Sequence, residues 1–489
     1  MPGQDRNLFA QFQKQFRAHA NQELLCTDKN ESYSYGDIER CSARIANLLV
    51  AAGAVAGDRV SAMLEKSPKA LGLYLACLRG GFVFHPLNPA FQVAELEFFL
   101  GDAQPAVVVS DAANEATIAP LAKRAGVPGL STSEFEAKES EDFDIVQRSE
   151  DDLAALLYSS GTTGVPKGIM LTHGNLLSNA EALVDAWGFS EDDRLLHALP
   201  VFHVHGLFVA INCVLLSGSS MRWLSVFDAA QVIEFLPECT AMMGVPTYYT
   251  RLLEHKELST DICKRMRVFI SGSAPLLEET FRDFETRTGH RILERYGMTE
   301  TGMNTSNPLK GVRKPGTVGL PLPGIEVRAD DETGELQVRG SNVFKGYWKL
   351  PDKTAEDFTD DGFFKTGDLG QIDGDGYASI VGRVKDMVIS GGINVYPREV
   401  ELFLDDLPGV KESAVIGVPH ADLGEAVIAI VVATDDAILS ENELIEASRQ
   451  NLANYKVPKR VIVVEALPRN AMSKVQKQSL RETYQKLFT

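Results

Sequence analysis

The stretch Tyr158-Ser159-Ser160-Gly161-Thr162-Thr163-Gly164-Val165-Pro166-Lys167-Gly168 restricts the fold of this chain more than any other. Its glycines let backbone approach an anion closely, its serine and threonine hydroxyls supply donors, and Lys167 adds a positive charge. The apolar run Leu153 to Leu157 before it reads as a strand, and loops that surround phosphate sit at strand ends in α/β domains. This is not the NTPase loop G-x-x-x-x-G-K-[ST], because Lys167 stands between Pro166 and Gly168.

At 489 residues the chain is too long for one core, so two or more domains are expected. A formal net charge of −19 argues against nucleic acid or an anionic membrane as partner. Any anionic ligand must therefore meet locally placed cations. The six cysteines, Cys26, Cys41, Cys77, Cys213, Cys239 and Cys263, form no C-x-x-C pair and suggest neither a zinc site nor a disulfide framework. A reduced, cytoplasmic compartment is expected, since the segment around Gln4 to Asn7 has no signal-peptide apolar core. No apolar run approaches the roughly 18 residues of a transmembrane helix.

Helical and strand patterns alternate along the first part of the chain. Asp37 to Ala52 is amphipathic, whereas Arg59 to Met63, Pro105 to Ser110, Thr240 to Gly244 and Arg267 to Ser271 read as strands. After the turns in Pro315 to Gly324 come β-rich segments at Glu326 to Arg328, Glu335 to Arg339 and Tyr377 to Val381. Beyond Arg383-Val384-Lys385-Asp386 a smaller α+β unit follows, with helices at Pro397 to Leu404 and Glu441 to Asn451 and strands near Val388, Ala414 to Val418, Ile428 to Ala433 and Val461 to Val464. The predicted fold class is α/β: a large N-terminal domain of layered α/β subdomains plus a β-rich subdomain, residues 1–384, and a small mobile C-terminal α+β domain, residues 385–489.

Further segments carry chemistry. Glu294-Arg295-Tyr296-Gly297-Met298-Thr299-Glu300-Thr301 places an aromatic, a hydroxyl and a carboxylate on one short turn, where Tyr296 can stack on a base, Thr299 can bond a phosphate oxygen and Glu300 can hold magnesium. Asp368 and Arg383 can hold ribose hydroxyls, or serve as a turn residue and a surface ion pair.

In order, Ser159 to Gly168, Arg295 to Glu300, Thr366 to Leu369, Gly382 to Val395 and Pro468 to Lys477 resemble the signatures of the adenylate-forming superfamily of acyl-CoA synthetases, peptide-synthetase adenylation domains and luciferases. The resemblance covers essentially the whole chain. It implies two steps: a carboxylate attacks the α-phosphate of ATP to give an acyl-adenylate and pyrophosphate, and a thiol then displaces AMP. A carboxylate acylates poorly until its oxygen joins a good leaving group, so positioning and charge neutralisation are what the residues must supply.

The resemblance also implies roles. Ser159, Ser160, Gly161, Thr162, Thr163, Gly164 and Lys167 would hold the phosphates of ATP, with Thr299 on the α-phosphate and Glu300 on Mg2+. Ser273, Ala274, Pro275 and the segment Glu294, Arg295, Tyr296, Gly297 and Met298 would flank adenine, and Asp368 and Arg383 would fix the ribose. Lys474 is the expected catalytic lysine bridging carboxylate and α-phosphate, with Lys477 as the alternative. Ser473 stands where the family usually has glycine. Lys385 matches the hinge about which the small domain alternates between steps, and Ser390, Gly391 and Gly392 would line the tunnel for coenzyme A.

Phe202-His203-Val204-His205-Gly206, Pro246 to Arg251, Ser271 to Leu276 and Glu300 to Ser306 resemble the malonyl-CoA synthetase subgroup. That likeness implies an AMP-forming acid–thiol ligase for malonate, with methylmalonate as a further substrate and another small, medium-chain or aryl carboxylic acid as the alternative. A dicarboxylate must keep its second carboxylate charged inside a pocket, which requires a cation or several donors. Arg251 is the candidate because a guanidinium pairs with carboxylate through two bonds, and Arg267 is the second choice. His205, Ser271 and Met303 are expected to wall the acid site. His203 is expected to shape or gate it, or else to be a buried structural histidine. The expected ligands are thus a small dicarboxylic acid, ATP, Mg2+ and coenzyme A, bound by a monomer or homodimer without nucleic acid or membrane.

Overall fold

A computed structural model describes residues 5–136, 140–159, 166–390, 393–420, 422–435, 437–470 and 474–488. The chain divides into two compact units: Met1–Val327 with Val338–Phe364 and Gly374–Ala378, and Arg328–Gln337 with Lys365–Asp373 and Ser379–Thr489. The division is interleaved, because strands from the β-rich middle of the chain group with the C-terminal part.

Two sheets organise the first unit. The larger runs Leu320–Pro321, Gly302–Ser306, Leu293–Met298, Val268–Ser271, Ala241–Gly244, Arg194–His197, Ser220–Trp223, Glu23–Thr27 and Ser32–Ser34. Its central pairs are parallel, from Glu23–Thr27 through to Leu293–Met298, while the pairs at both edges are antiparallel. The second sheet runs Gly346–Tyr347, Lys167–Thr172, Leu153–Ser159, Val83–Leu87, Arg59–Met63, Val107–Ser110 and Gly129–Ser131. Strands buried on both faces read as continuous apolar runs, as Val107–Ser110 does with all four residues buried.

Helices cover these sheets for local reasons. The helix Tyr35–Ala51 starts at a capping box in which Ser34 accepts from the Asp37 amide and Asp37 accepts from the Ser34 amide. Its apolar face, Ile38, Ile45, Ala46 and Leu49, is buried. It packs on the helix Pro68–Gly80 at a close approach that only glycine permits, since a Cβ on Gly72 would lie 2.8 Å from Cys41 Sγ. Between sheets and helices lies a continuous core that includes Phe9, Phe12, Tyr74, Trp187 and Trp223.

In the second unit the long antiparallel pair Val410–His420 and Gly424–Ala433 buries both faces. Val415, Val427, Ala429 and Val431 enter one cluster, whereas Ile416, Val418, Ile428 and Ile430 enter another, as a two-residue period requires. A four-stranded sheet orders Ile325–Ala329, Glu335–Gly340, Phe364–Ile372 and Ala378–Arg383. The sequence-predicted strands and helices fall within a few residues of these elements throughout. Among the described residues no helix is long and apolar enough to cross a membrane.

Candidate active site

Ligands of parallel sheets gather beyond the carboxyl ends of the strands. In the larger sheet those ends are His197, Gly244, Ser271 and Met298, and the segments that leave them carry most of the predicted acid-site residues. The strand Arg194–His197 runs on to Phe202–Gly206, and a π-helical turn spans His205–Ile211. Such turns are rare and concentrate at functional sites. Gly206 is required there, because a Cβ would stand 2.0 Å from the Pro200 carbonyl oxygen.

The strand Val268–Ser271 ends in Gly272 and Ser273, and Ser273 adopts φ +71°, a left-handed conformation that non-glycine residues seldom enter. There its Oγ reaches His205 Nδ1 at 3.2 Å. Ala274 and Pro275 follow, exposed. Next in the sheet, Leu293–Met298 places Glu294 and Arg295 on opposite faces, and both are buried. The Arg295 guanidinium lies against Gly272, where a Cβ would come within 2.5 Å of Cζ.

Arg295 is 3% exposed, and its Nε and Nη2 have no hydrogen-bond partner among the described residues. Burial lowers its pKa to about 9. His205 Nε2 is likewise buried without a partner, and burial together with the Arg295 guanidinium holds the His205 pKa well below that of free imidazole. His205 is therefore neutral at physiological pH. A Ser273 hydroxyl that donates to Nδ1 puts the ring hydrogen on Nε2. Buried donors without acceptors are costly, so this group calls for an anion or a strong acceptor.

The other two arginines are placed differently. Arg251 lies exposed in the last turn of the helix Pro246–Leu253. Arg267 sits at the opposite, amino end of its strand, where Nε and Nη2 donate to the two Asp193 oxygens at 2.6 and 2.7 Å and Nη1 donates to the Trp187 carbonyl. That guanidinium is already committed to holding the fold.

Past Met298 the chain turns through Thr299, half-buried, and Glu300, 8% exposed, into the strand Gly302–Ser306. Two backbone contacts fix this turn: the Phe344 amide donates to the Glu300 carbonyl at 2.7 Å, and Asn179 grips Met303. Asn179 Nδ2 donates to the Met303 carbonyl at 2.8 Å, while its Oδ1 accepts the Met303 amide at 3.0 Å. Sequence reasoning missed Asn179. Its signal is a polar residue on the otherwise apolar face Leu176, Leu177, Ala180 and Leu183 of the helix His173–Trp187.

The predicted phosphate residues Ser160, Gly161, Thr162, Thr163 and Gly164 lie outside the described residues. What is described is a hairpin: Leu153–Ser159 pairs antiparallel with Lys167–Thr172, with Ser159 opposite Lys167. Lys167 Nζ stands 4.5 Å from the Tyr347 ring centre. Burial and then the nearby Glu300 carboxylate raise the Tyr347 pKa. Lys167, Tyr347 and Glu300 thus gather near one another. Among the described residues no group of three or more His, Cys, Asp or Glu could hold a metal. A buried carboxylate such as that of Glu300 suits a hard cation that takes its remaining oxygens from phosphate and water, as Mg2+ does.

In the second unit Arg383 Nε donates to Asp368 Oδ1 at 2.7 Å, and Asp368 is 3% exposed. Lys385 lies exposed in the short turn Val384–Asp386, and partial desolvation of its ammonium lowers its pKa. Ser390 is buried, while Gly391, Gly392 and Ser473 lie outside the described residues. Lys474 is exposed, at a tight return where its amide donates to Asn470 Oδ1 and the Asn470 amide donates to its carbonyl.

The AMP-binding enzyme family matches residues 12–348, and the AMP-binding enzyme C-terminal domain matches residues 399–474. A malonate–CoA ligase of Arabidopsis thaliana is 35% identical over 93% of this chain and 85% of its own length. A feruloyl-CoA synthase of an Amycolatopsis species is 37% identical over 92% of this chain and 94% of its own length. The crystal structure of ATP-bound MatB from Rhodopseudomonas palustris superposes with a TM-score of 0.96 at 48% identity, over 99% of this chain and all of that one.

Proposed function

This chain belongs to the AMP-binding enzyme family, and on that premise we propose that it ligates malonate to coenzyme A with ATP, releasing AMP and pyrophosphate. The observation that carries the choice of acid is Arg295. A buried guanidinium with two unpartnered nitrogens, beside a neutral His205 whose Nε2 is also unpartnered, is an environment for a carboxylate that stays charged. A monocarboxylic acid would leave these donors unmet.

One carboxylate of malonate then takes Arg295 and His205, and the other faces the α-phosphate. Its oxygen attacks phosphorus, the bond to the bridging oxygen breaks, and pyrophosphate leaves. Lys167 and the hydroxyls of the preceding loop hold the leaving group, and Thr299 donates to the α-phosphate. Glu300 would hold Mg2+, which supplies charge neutralisation on the phosphates. Asp368 and Arg383 fix the ribose, Ala274, Pro275 and Tyr296 flank the base, and Lys474 bridges the reacting oxygens. In the second step the coenzyme A thiolate, entering past Ser390, attacks the acyl carbon and AMP departs. Lys385 is the hinge for the change between steps. The unpaired cysteines favour the cytoplasm as the compartment.

Replacing Arg295 with leucine tests the assignment. The KM for malonate rises by a factor on the order of 100, the cost of stranding a desolvated carboxylate, with little change in the KM for ATP. Arg251→Ala leaves malonate turnover nearly unchanged on this assignment. The opposite pattern would return the second carboxylate to Arg251.

A further inference from the structure

Lys66 lies outside the chemistry just described, yet its ammonium is enclosed. It follows the strand Arg59–Met63 of the smaller sheet of the first unit and reaches the carboxyl end of Arg194–His197 in the larger. There Nζ lies 2.7 Å from His197 Nδ1 and 2.8 Å from the His197 carbonyl oxygen, and 4.6 Å from the Trp223 ring centre. His197 stacks on the same indole, with ring centres 4.9 Å apart and planes 20° from parallel. Burial pushes the Lys66 pKa well below that of a free lysine, and the Asp28 carboxylate, which accepts from the Ser225 amide and hydroxyl, opposes that fall.

The far side of the imidazole settles its proton. His197 Nε2 lies 2.9 Å from the Gly206 carbonyl oxygen, an atom that can only accept. Nε2 therefore carries the hydrogen, and Nδ1, in the neutral ring, presents a lone pair. Burial and the Lys66 charge both oppose protonation of His197. A buried lone pair needs a donor, and Lys66 supplies it. Gly206 is the residue pressed against the Pro200 carbonyl, immediately after His205 in the wall of the acid site.

We propose that Lys66 is a positioning residue for the acid-binding wall: its Nζ–H donates to Nδ1 and so holds the His197 tautomer whose Nε2–H keeps the Gly206 carbonyl beside His205. This rests on the assignment of residues 202–206 to the acid site and is independent of which acid is bound. A hydrogen-bond partner on one ring nitrogen sets both the tautomer and the orientation of an imidazole.

The test is run on the full-length enzyme with whichever of malonate, methylmalonate, hexanoate and ferulate the wild type uses best. Preference for hexanoate or ferulate would overturn malonate as substrate while leaving this test intact. Pyrophosphate release gives KM for the acid and for ATP in Lys66→Met and Lys66→Gln. The methionine variant raises the acid KM about tenfold with the ATP KM within about twofold, as loss of one buried hydrogen bond predicts. Glutamine keeps an N–H donor and recovers most of the loss. An unchanged acid KM, equal changes in both KM values, or no recovery in Lys66→Gln overturns the proposal. Should the variants fail to fold, 15N shifts of the wild-type histidines decide it: His197 is the neutral Nε2–H tautomer at pH 7, and an Nδ1–H tautomer or an imidazolium contradicts the proposal.

Discussion

Lys477 Nζ lies 2.6 Å from Glu401 Oε1, with the two side chains 19% and 7% exposed. Glu401 Oε1 also accepts the Val415 amide, so the lysine is tied to the interior of the second unit. Lys474, three residues earlier, is exposed on its tight return. Of the two lysines near the C-terminus, Lys477 is held by the fold and Lys474 is the exposed one. Lys474→Ala is expected to lower adenylate formation by a factor on the order of 100 to 1,000. Thioester formation from supplied acyl-adenylate stays near wild type. Lys477→Ala instead lowers stability by roughly 1 to 3 kcal/mol, because the buried Glu401 carboxylate loses its nearest cation and keeps the Val415 amide and Arg398, 3.9 Å away. Single-turnover assays of each half-reaction, with denaturant melts, separate the two.

Asp405 gives the second unit a pH dependence. Burial raises its pKa from 3.8 to about 6, against the Ser413 hydroxyl bond and the more distant Arg398, while Glu401 adds to the rise. The folded state therefore holds a proton that the unfolded state releases between pH ~4 and ~6. Stability is greatest below that window and falls as pH rises through it. Asp405→Asn keeps an acceptor for Ser413 and removes the buried charge. It should match wild type near pH 4 and exceed it at pH 8 by at most about 3 kcal/mol, measured by urea unfolding of the full chain.

Gly297 controls the turn that carries Thr299 and Glu300. A Cβ there would lie 2.0 Å from the Gly302 carbonyl oxygen and 2.7 Å from Met303 Cα, both backbone atoms. Gly297→Ala must push the strands Leu293–Met298 and Gly302–Ser306 apart. Adenylation with malonate should fall on the order of a hundredfold, since small displacements of positioned groups carry that cost. The circular dichroism of the folded protein stays close to wild type.

Much of this was readable from residue patterns. Alternation and apolar runs located the strands, and Glu441–Asn451 was placed to the residue because polar boundaries flank its period. The π-helical turn at His205–Ile211 was not readable, since its extra residue per turn leaves no mark in an all-apolar segment. Arg295 stood among the expected adenine neighbours because its motif did. In a strand, adjacent side chains take opposite faces, and which face Arg295 shares with Gly272 depends on pairing with Val268–Ser271. Arg251 and Arg267 were chosen for chemistry alone. Exposure of the one and the Asp193 pairing of the other are tertiary facts.

The central claim is that the enzyme activates an acid with a second carboxylate. Pyrophosphate release by the purified protein, with ATP, Mg2+ and coenzyme A, measured across malonate, acetate, hexanoate and ferulate, tests it most directly. A kcat/KM for malonate at least about a hundredfold above the other three, with malonyl-CoA as product, is the predicted result. Equal or greater activity on hexanoate or ferulate would contradict it.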